Sequence, residues 1–167
     1  MAQKKFNPIL TFFCCLLALV IGFIAAFAVY TYLQKPHGGD VYVSGDLQIH
    51  FLELGNKYTG DCVYIKAGET DILIDAGSRT NSVGTIDSYL QEQMNGDRTL
   101  EYVIVTHSDR DHIACFAGDN SNDSLFDLYE CETIIDFPRT NQYSKSGGPS
   151  ATFERYVEKR DAEQEAG

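Results

Sequence analysis

Basic residues are scarce in this sequence of 167 residues. Lys and Arg total 13 against 24 Asp and Glu, which gives a formal net charge of −11 at pH 7. Proteins that bind nucleic acid along a broad surface usually present a basic face to it. The charge balance therefore excludes that mode of binding, although it is compatible with a single phosphate held at a metal ion.

The five cysteines form no disulfide framework. Cys14 and Cys15 lie within an apolar segment, and the other three, Cys62, Cys115 and Cys131, are an odd number without paired spacing. We expect these three to be small buried hydrophobic residues. The sequence also lacks internal repeats, so an array of repeated units is excluded.

The longest apolar run extends from Ile9 to about Tyr32 and carries no charge. A helix needs about 20 such residues to cross a bilayer, and Lys4 and Lys5 before the run predict a cytoplasmic N-terminus. A cleaved signal peptide is the alternative, with "AFA" at 26–28 as its cleavage site. The run is longer than the about 7–15 apolar residues of a signal peptide, which favours an uncleaved anchor. The sequence thus predicts a single-pass protein of the cell membrane.

Four segments are predicted along the chain. Residues 1–8 form a cytoplasmic N-terminus and residues 9–33 the transmembrane anchor. Residues 34–46, which include "KPHGGD", form a linker. Residues 47–167 form one extracytoplasmic domain with a modest core.

Periodicity within this domain predicts strands that alternate with helices, which is typical of an α/β layered fold. The predicted strands are Leu47–Leu54, Asp61–Ala67, Asp71–Gly77, Leu100–Thr106 and Cys131–Phe137. The predicted helices are Ser82–Met94, a short one that opens at His112, and Thr152–Ala166. In the first strand, Leu47, Ile49 and Phe51 are predicted to share one face, and His50 is predicted to face solvent. The strand at 100–106 is apolar on both faces, so we expect it inside its sheet.

The stretch "VIVTHSDRDHIACF" carries four potential metal ligands within six positions. His107, Asp109 and Asp111 alternate on a polar loop after a buried strand, and His112 follows them. Imidazole nitrogen and carboxylate oxygen are ligands that zinc, manganese and iron accept. We expect the first three to converge on an extended loop and His112 to join them from the next helix. The alternative is a polar loop in which Asp111 caps the helix and the histidines have no role.

Asp75 ends the buried strand "ILIDAG". A carboxylate at that place can accept the outer N–H of a ligating histidine and fix its tautomer. The alternative is an ordinary turn that begins with Asp.

With these two motifs the chain resembles the metallo-β-lactamase superfamily. "LIDAG" and "THSDRDH" look like its first two motifs, although Asp109 stands where the family's second histidine is usual. "IHFLELG", "GDCVYI" and "THSDRDHI" are most similar to the exported hydrolase domains of DNA-uptake competence proteins. The resemblance covers about Leu47 to Gly118, under half of the chain.

The resemblance implies a four-layered αββα sandwich with two divalent metal ions, usually zinc. His107 and Asp109 would serve the first ion, Asp111 and His112 the second, and Asp75 would orient a ligand. A carboxylate at position 109 is a harder ligand than imidazole, so manganese is the alternative metal. With a single ion, Asp111 would act as general base and is therefore the catalytic candidate.

The implied activity is hydrolysis by a metal-activated water. A phosphodiester or nucleic-acid substrate is preferred from the competence-protein resemblance, and no protein partner is inferable. Two alternatives stay open: a non-catalytic exported binding module on the same fold, and a hydrolase of the lactamase or lactonase type. No histidine follows His112, where the family has later ligands. We therefore expect the N-terminal half of the sandwich, with sheet edges and an apolar face exposed.

Overall fold

The structure is a computed structural model in which two compact units are distinguished, Met1–Lys35 and Pro36–Gly167. The residues that it describes are 8–33, 41–55, 60–137, 139–140 and 143–166.

The first unit consists of one helix, α1 (Pro8–Leu33), built from the long apolar run. Its described side chains, residues 15–30, are all exposed. Across the described residues, no helix combines the length and the apolar character that a membrane crossing requires. The anchor at residues 9–33 therefore stays a prediction.

The second unit contains eight strands and three α-helices among the described residues. The strands are β1 (Val41–Ser44), β2 (Leu47–Phe51), β3 (Val63–Ala67), β4 (Thr70–Ile74), β5 (Thr99–Leu100), β6 (Tyr102–Ile104), β7 (Glu130–Cys131) and β8 (Ile134–Ile135). The helices are α2 (Val83–Gln93), α3 (Arg110–Ala117) and α4 (Ala151–Ala166), with short 3₁₀ helices at Thr80–Ser82 and Leu125–Asp127. The predicted mixed α/β organisation is confirmed.

Six strands form the main sheet in the order β1-β2-β3-β4-β6-β8, and β5 pairs with β7 in a small second sheet. The β1-β2, β2-β3 and β3-β4 pairs are antiparallel. The β4-β6 and β6-β8 pairs are parallel. As predicted, β6 lies inside the sheet. Because β4 and β6 run in parallel, the residues that follow them, Asp75 and Val105–Thr106, meet at one edge of the sheet.

The core lies against one face of the main sheet. Side chains that alternate along the strands, such as Tyr64, Leu73 and Val103, join one buried cluster with Ile86 of α2 and Phe116 of α3. Helix α4 adds Tyr156, which is fully buried and donates a hydrogen bond to Asp136.

His50 belongs to this covered face, so the prediction that it faces solvent is wrong. Its register partner is Tyr64, and only 3% of its surface is exposed. Its Nδ1 lies 2.7 Å from the hydroxyl oxygen of Tyr89, which offsets part of the cost of burying the ring. Burial lowers the pKa of His50.

The opposite face of the sheet carries two rows of apolar side chains. They face each other across the strands as Tyr42, Ile49, Ile65, Ile72 and Tyr102 in one row and Phe51, Val63, Ile74, Ile104 and Ile135 in the other. None of the ten is buried, and Phe51 is 47% exposed. Leu47, Ile49 and Phe51 do share a face, as predicted, but it is the face that the helices leave bare.

Element boundaries differ from the predictions in several places: the predicted strand at 131–137 is divided into β7 of the small sheet and β8 of the main sheet, and the helix predicted to open at His112 begins at Arg110. Strand β1 lies within the predicted linker, where Val41–Ser44 pairs with β2; residues 34–40 lie outside the described residues. The predicted strand at 100–106 is divided into β5 and β6, because Glu101 leaves the ladder and accepts a hydrogen bond from the Asp71 backbone N–H at 2.6 Å.

Candidate metal centre

Asp75 lies directly after β4 and is buried, with 3% exposure. Its backbone adopts a left-handed conformation, φ 57°, which Asp tolerates better than most residues. Its carboxylate accepts hydrogen bonds from the Thr106 backbone N–H at 2.9 Å and from the Thr106 hydroxyl at 2.6 Å. This residue therefore ties the end of β4 to the end of β6.

The same carboxylate holds His112. Asp75 Oδ2 lies 2.8 Å from His112 Nδ1. A carboxylate only accepts, so Nδ1 must carry the proton and Nε2 is left with a lone pair in the neutral ring. The Ala76 backbone N–H also donates to the His112 carbonyl at 2.7 Å, which fixes helix α3 against the turn.

His107 is oriented through Thr106. The Thr106 hydroxyl has one hydrogen and donates it to Asp75, so it accepts from His107 Nδ1 at 3.0 Å. The two imidazole rings lie with centroids 3.7 Å apart. Both histidines thus present an unprotonated Nε2, and a single carboxylate determines both tautomers.

Three of the four predicted ligands come together. His107, Asp111 and His112 each offer a ligand atom, and these atoms all lie within 4.8 Å of one another. Asp111 Oδ2 lies 3.7 Å from His112 Nε2. The alternative interpretation, in which Asp111 caps the helix, is wrong. Helix α3 begins at Arg110, so Asp111 lies in its first turn.

Asp109 lies outside this group of three. It is the N-cap residue of α3, with extended backbone and no capping hydrogen bond from its side chain. Its Oδ2 instead lies 3.8 Å from His107 Nε2. The predicted convergence of His107, Asp109 and Asp111 on an extended loop is replaced by a loop that enters a helix at Arg110.

Asp61 is a residue at the site that the sequence analysis missed. It precedes β3, its side chain is 77% exposed, and its Oδ2 lies 3.9 Å from His112 Nε2. Its only sequence signal is its place beside Gly60 in "GDCVYI". The spacing of the histidine motif contains no information about so distant a loop.

Two buried thiols, Cys62 and Cys115, belong to the hydrophobic core. Burial raises the pKa of Cys62 well above its ordinary value and that of Cys115 to about 12. Neither joins the group of ligand atoms that lie within 4.8 Å of one another, so the candidate ligands are nitrogen and oxygen atoms.

A cavity of about 190 Å³ lies beside His107. It is lined by His107, Ser108, Asp109, Phe137, Arg139 and Thr140. Ser108 donates a hydrogen bond to the Arg139 carbonyl at 2.7 Å, which holds the segment after β8 next to the site. Phe137 is 55% exposed and Arg139 is exposed. Neither residue was singled out from the sequence.

The carboxylates of the site make their recorded ion-pair contacts with histidines. Among the described residues, the ion pairs of lysine and arginine all lie elsewhere: Lys66–Asp71, Arg98–Asp87, Lys159–Asp127, Arg160–Asp136 and Arg160–Asp161. Asp61, Asp75, Asp109 and Asp111 make their recorded ion-pair contacts only with His107 and His112. A divalent cation would balance the negative charge of these carboxylates.

Comparison with known proteins finds a family model that matches part of the chain. No curated protein matches the chain. The segment 55–118, under half of the chain, contains all the histidines and aspartates of the site described above. This segment matches the model of the metallo-beta-lactamase superfamily, whose members are metal-dependent hydrolases.

Proposed function

We propose that the protein is a metal-dependent hydrolase and that His107, Asp111 and His112 bind its metal ion. The observation that carries this proposal is the approach of three ligand atoms to within 4.8 Å of one another. The family match over residues 55–118 supports it, because the group lies inside the matched segment.

The residues fit a metal ion in two respects. Ligand atoms around a tetrahedral zinc ion lie about 3.4 Å apart, because each is about 2.1 Å from the metal. The 3.7 Å between Asp111 Oδ2 and His112 Nε2 is close to that spacing and too long for a hydrogen bond. Both Nε2 atoms also carry the lone pair that a ligand needs.

Zinc is the preferred ion, with manganese as the alternative. Two imidazoles and one carboxylate are a common set for catalytic zinc. A second ion would need ligands of its own beside Asp109, because the single lone pair of His107 Nε2 serves one ion. A further carboxylate makes the set harder and more suitable for manganese.

The ion would supply Lewis acidity and an activated water. The protein's own residues supply orientation and charge. Asp75 holds His112 and, through Thr106, His107, so the two imidazole donors are placed before substrate arrives. Asp111 is 54% exposed at its side chain and can accept a proton from water at the mouth of the site.

A phosphodiester is the substrate class that the cavity favours. The guanidinium of Arg139 is suited to a phosphate, because its planar donors match phosphate oxygens. The exposed ring of Phe137 offers a surface for a nucleobase. These two residues support a nucleotide or nucleic-acid substrate, which is also the substrate class suggested by the resemblance to competence proteins.

Metal content and turnover test the proposal together. The purified protein should retain zinc or manganese and should hydrolyse bis(p-nitrophenyl) phosphate. Asp111→Ala should lower the rate by about 100-fold or more, the usual contribution of a general base. Asp46→Ala, at an exposed aspartate in the β1–β2 turn, is the control. An unchanged rate in Asp111→Ala would contradict the assignment.

Arg139 is tested by substrate affinity. Arg139→Ala should raise KM for the phosphodiester, while Lys145→Ala, which removes an exposed cation outside the cavity lining, should not. Equal increases in KM for the two variants would show that substrate affinity depends on the net charge of the protein and not on the position of Arg139.

A non-catalytic binding module is the second candidate, favoured by the acidic net charge of −11. Retention of metal without turnover of a phosphodiester would support it. Turnover of nitrocefin with no turnover of the phosphodiester would instead favour a lactamase-type hydrolase.

Anchoring in the cell membrane by residues 9–33 is also part of the proposal. The uncharged run and the two lysines before it support this placement. Protease added to intact cells should then cleave the domain and leave the N-terminus protected. Protection of the domain would contradict this placement.

A further inference from the structure

The side chain of Asp61 faces the same nitrogen atom as Asp111. Its Oδ2 lies 3.9 Å from His112 Nε2, compared with 3.7 Å for Asp111 Oδ2. Neither distance is a hydrogen bond, since an N–H···O bond is about 2.7–3.2 Å long. The spacing between two ligands of one tetrahedral ion is about 3.4 Å, so Asp111 lies near it and Asp61, which is outside the group of three, lies somewhat farther out.

The backbone at Asp61 is fixed by both elements that carry the site. The Asp61 N–H donates to the Asp111 carbonyl at 3.2 Å, and the Gly77 N–H donates to the Asp61 carbonyl at 2.9 Å. The side chain therefore projects from a backbone that is bound to the start of α3 and to the turn after Asp75. An exposed carboxylate on an ordinary loop would lack this double attachment.

Gly60 permits that close approach. A Cβ atom at position 60 would lie 2.4 Å from the Ser78 backbone nitrogen and 2.5 Å from the Asp111 carbonyl oxygen. Real Cβ atoms essentially never approach other atoms so closely. Any side chain here would push the loop, and Asp61 with it, away from His112.

The charges around His112 are unbalanced as they stand. Asp75 lies on one nitrogen of the ring, and Asp61 and Asp111 face the other. Carboxylates of like charge around one ring repel one another, and the lysine and arginine ion pairs recorded for the described residues do not involve them. A cation shared by Asp61 and Asp111 would turn this repulsion into attraction.

We infer that Asp61 is a ligand of the same divalent ion as His112 and Asp111. This inference rests on the proposed metal site and adds a donor from a loop some fifty residues earlier in the chain. The ligand set becomes two imidazoles and two carboxylates, with His107 as the fourth member. The sequence motif alone supplies three of these donors, and the loop before β3 supplies the last.

The test is a zinc titration against a competing chelator, with the unaltered protein, Asp61→Asn, Asp61→Glu and the control Asp46→Asn. Asp61→Asn should weaken zinc binding at least tenfold, because a neutral amide is a poor ligand. Asp61→Glu, which keeps a carboxylate, should lose less, and Asp46→Asn should match the unaltered protein. With Co²⁺ as the probe, the visible absorption band should change in Asp61→Asn, which a purely electrostatic role would not cause.

The outcomes separate the two proposals. An unaltered protein that binds neither zinc nor Co²⁺ would overturn the proposed function itself. An unaltered protein that binds zinc, with equal affinity in Asp61→Asn and an unchanged Co²⁺ spectrum, would overturn only the role of Asp61. Because this side chain is 77% exposed, its replacement should leave the metal-free melting temperature unchanged.

Discussion

The two ends of β4 each hold a buried aspartate, and their surroundings differ. Asp71 is the second residue of the strand and Asp75 follows its last residue, with 4% and 3% exposure. Asp71 is paired with a cation, because Lys66 Nζ lies 2.8 Å and 3.0 Å from its two oxygens, and Tyr64 donates to it as well. Among the described residues, the recorded hydrogen bonds of the Asp75 carboxylate are with Thr106 and His112.

This difference separates a structural carboxylate from one that serves a site. At Asp71 the charges cancel inside the protein, and burial together with the Asp71 contact raises the pKa of Tyr64 far above its ordinary value. At Asp75 the negative charge acts through the imidazole of His112, whose other nitrogen faces Asp61 and Asp111. Two buried carboxylates with nearly equal exposure can thus be distinguished by their hydrogen-bond partners. The structural one pairs with a lysine, and the one that serves the site orients a histidine.

The largest expected effect comes from Asp75→Gly. Glycine accepts the left-handed backbone at this position, so the change removes the carboxylate without adding strain. Both histidines lose the group that fixes their tautomers, and zinc affinity should fall about 10–100-fold, as for other partners of metal-binding histidines. A chelator-competition titration measures this; a folded variant with full affinity would contradict the comparison.

Asp71→Ala should act on stability and not on the site. The Tyr64 hydroxyl would lose a buried partner, which costs about 1–3 kcal/mol. Urea denaturation should show this decrease in the free energy of unfolding, while zinc affinity of the folded protein stays unchanged. A large loss of zinc affinity here would mean that the two ends of β4 are not independent.

Thr106→Val sharpens the comparison on a smaller scale. The change keeps the shape of the side chain and removes the hydroxyl between Asp75 and His107. The free energy of unfolding should fall by about 0.5–1.5 kcal/mol, the net value of one hydrogen bond. Zinc affinity should fall less than in Asp75→Gly, because His112 keeps its own bond to Asp75.

The smallest expected effect is the response of His50 to acid. Its pKa is lowered by burial in the folded protein, so below its unfolded pKa of about 6.5 the unfolded chain binds a proton that the folded chain does not. This part of the stability is present above pH 6.5 and is lost as the pH falls towards 5. Urea denaturation at pH 7.5 and 5.5 should show a smaller loss in the free energy of unfolding for His50→Asn than for the unaltered protein. Equal losses in the two proteins would mean that other groups cause the acid response.

The elements of the fold were largely predictable from the sequence because local periodicity sets them. The helix expected at Ser82–Met94 is observed as Val83–Gln93, with Ile86 and Leu90 fully buried. Which face of a strand is covered was not predictable in the same way. In β2 the apolar residues Leu47, Ile49 and Phe51 share a face, yet the helices cover the face of His50, whose aromatic neighbours come from other strands and helices.

The site was predictable where its residues lie in the two short motifs of the sequence, one of which contains Asp75. His107, Asp111 and His112 come from the other motif, and the group that they form follows from the loop entering α3. Asp61 comes to His112 through contacts between the backbone of Gly60–Asp61 and two other elements. Phe137 and Arg139 come from the segment after β8. No spacing rule in the sequence encodes such approaches.

The positive φ angle of Asp75 restricts which substitutions this position can accept during evolution. Its positive φ favours glycine, asparagine and aspartate, and only the last of these carries a charge. A single-nucleotide change from an aspartate codon yields either glycine or asparagine. Such a replacement would leave a chain that folds but has lost the anion behind His112. A lineage that no longer needed the activity could therefore replace this residue without backbone strain, but it would lose the hydrogen bonds that tie β4 to Thr106 and His112.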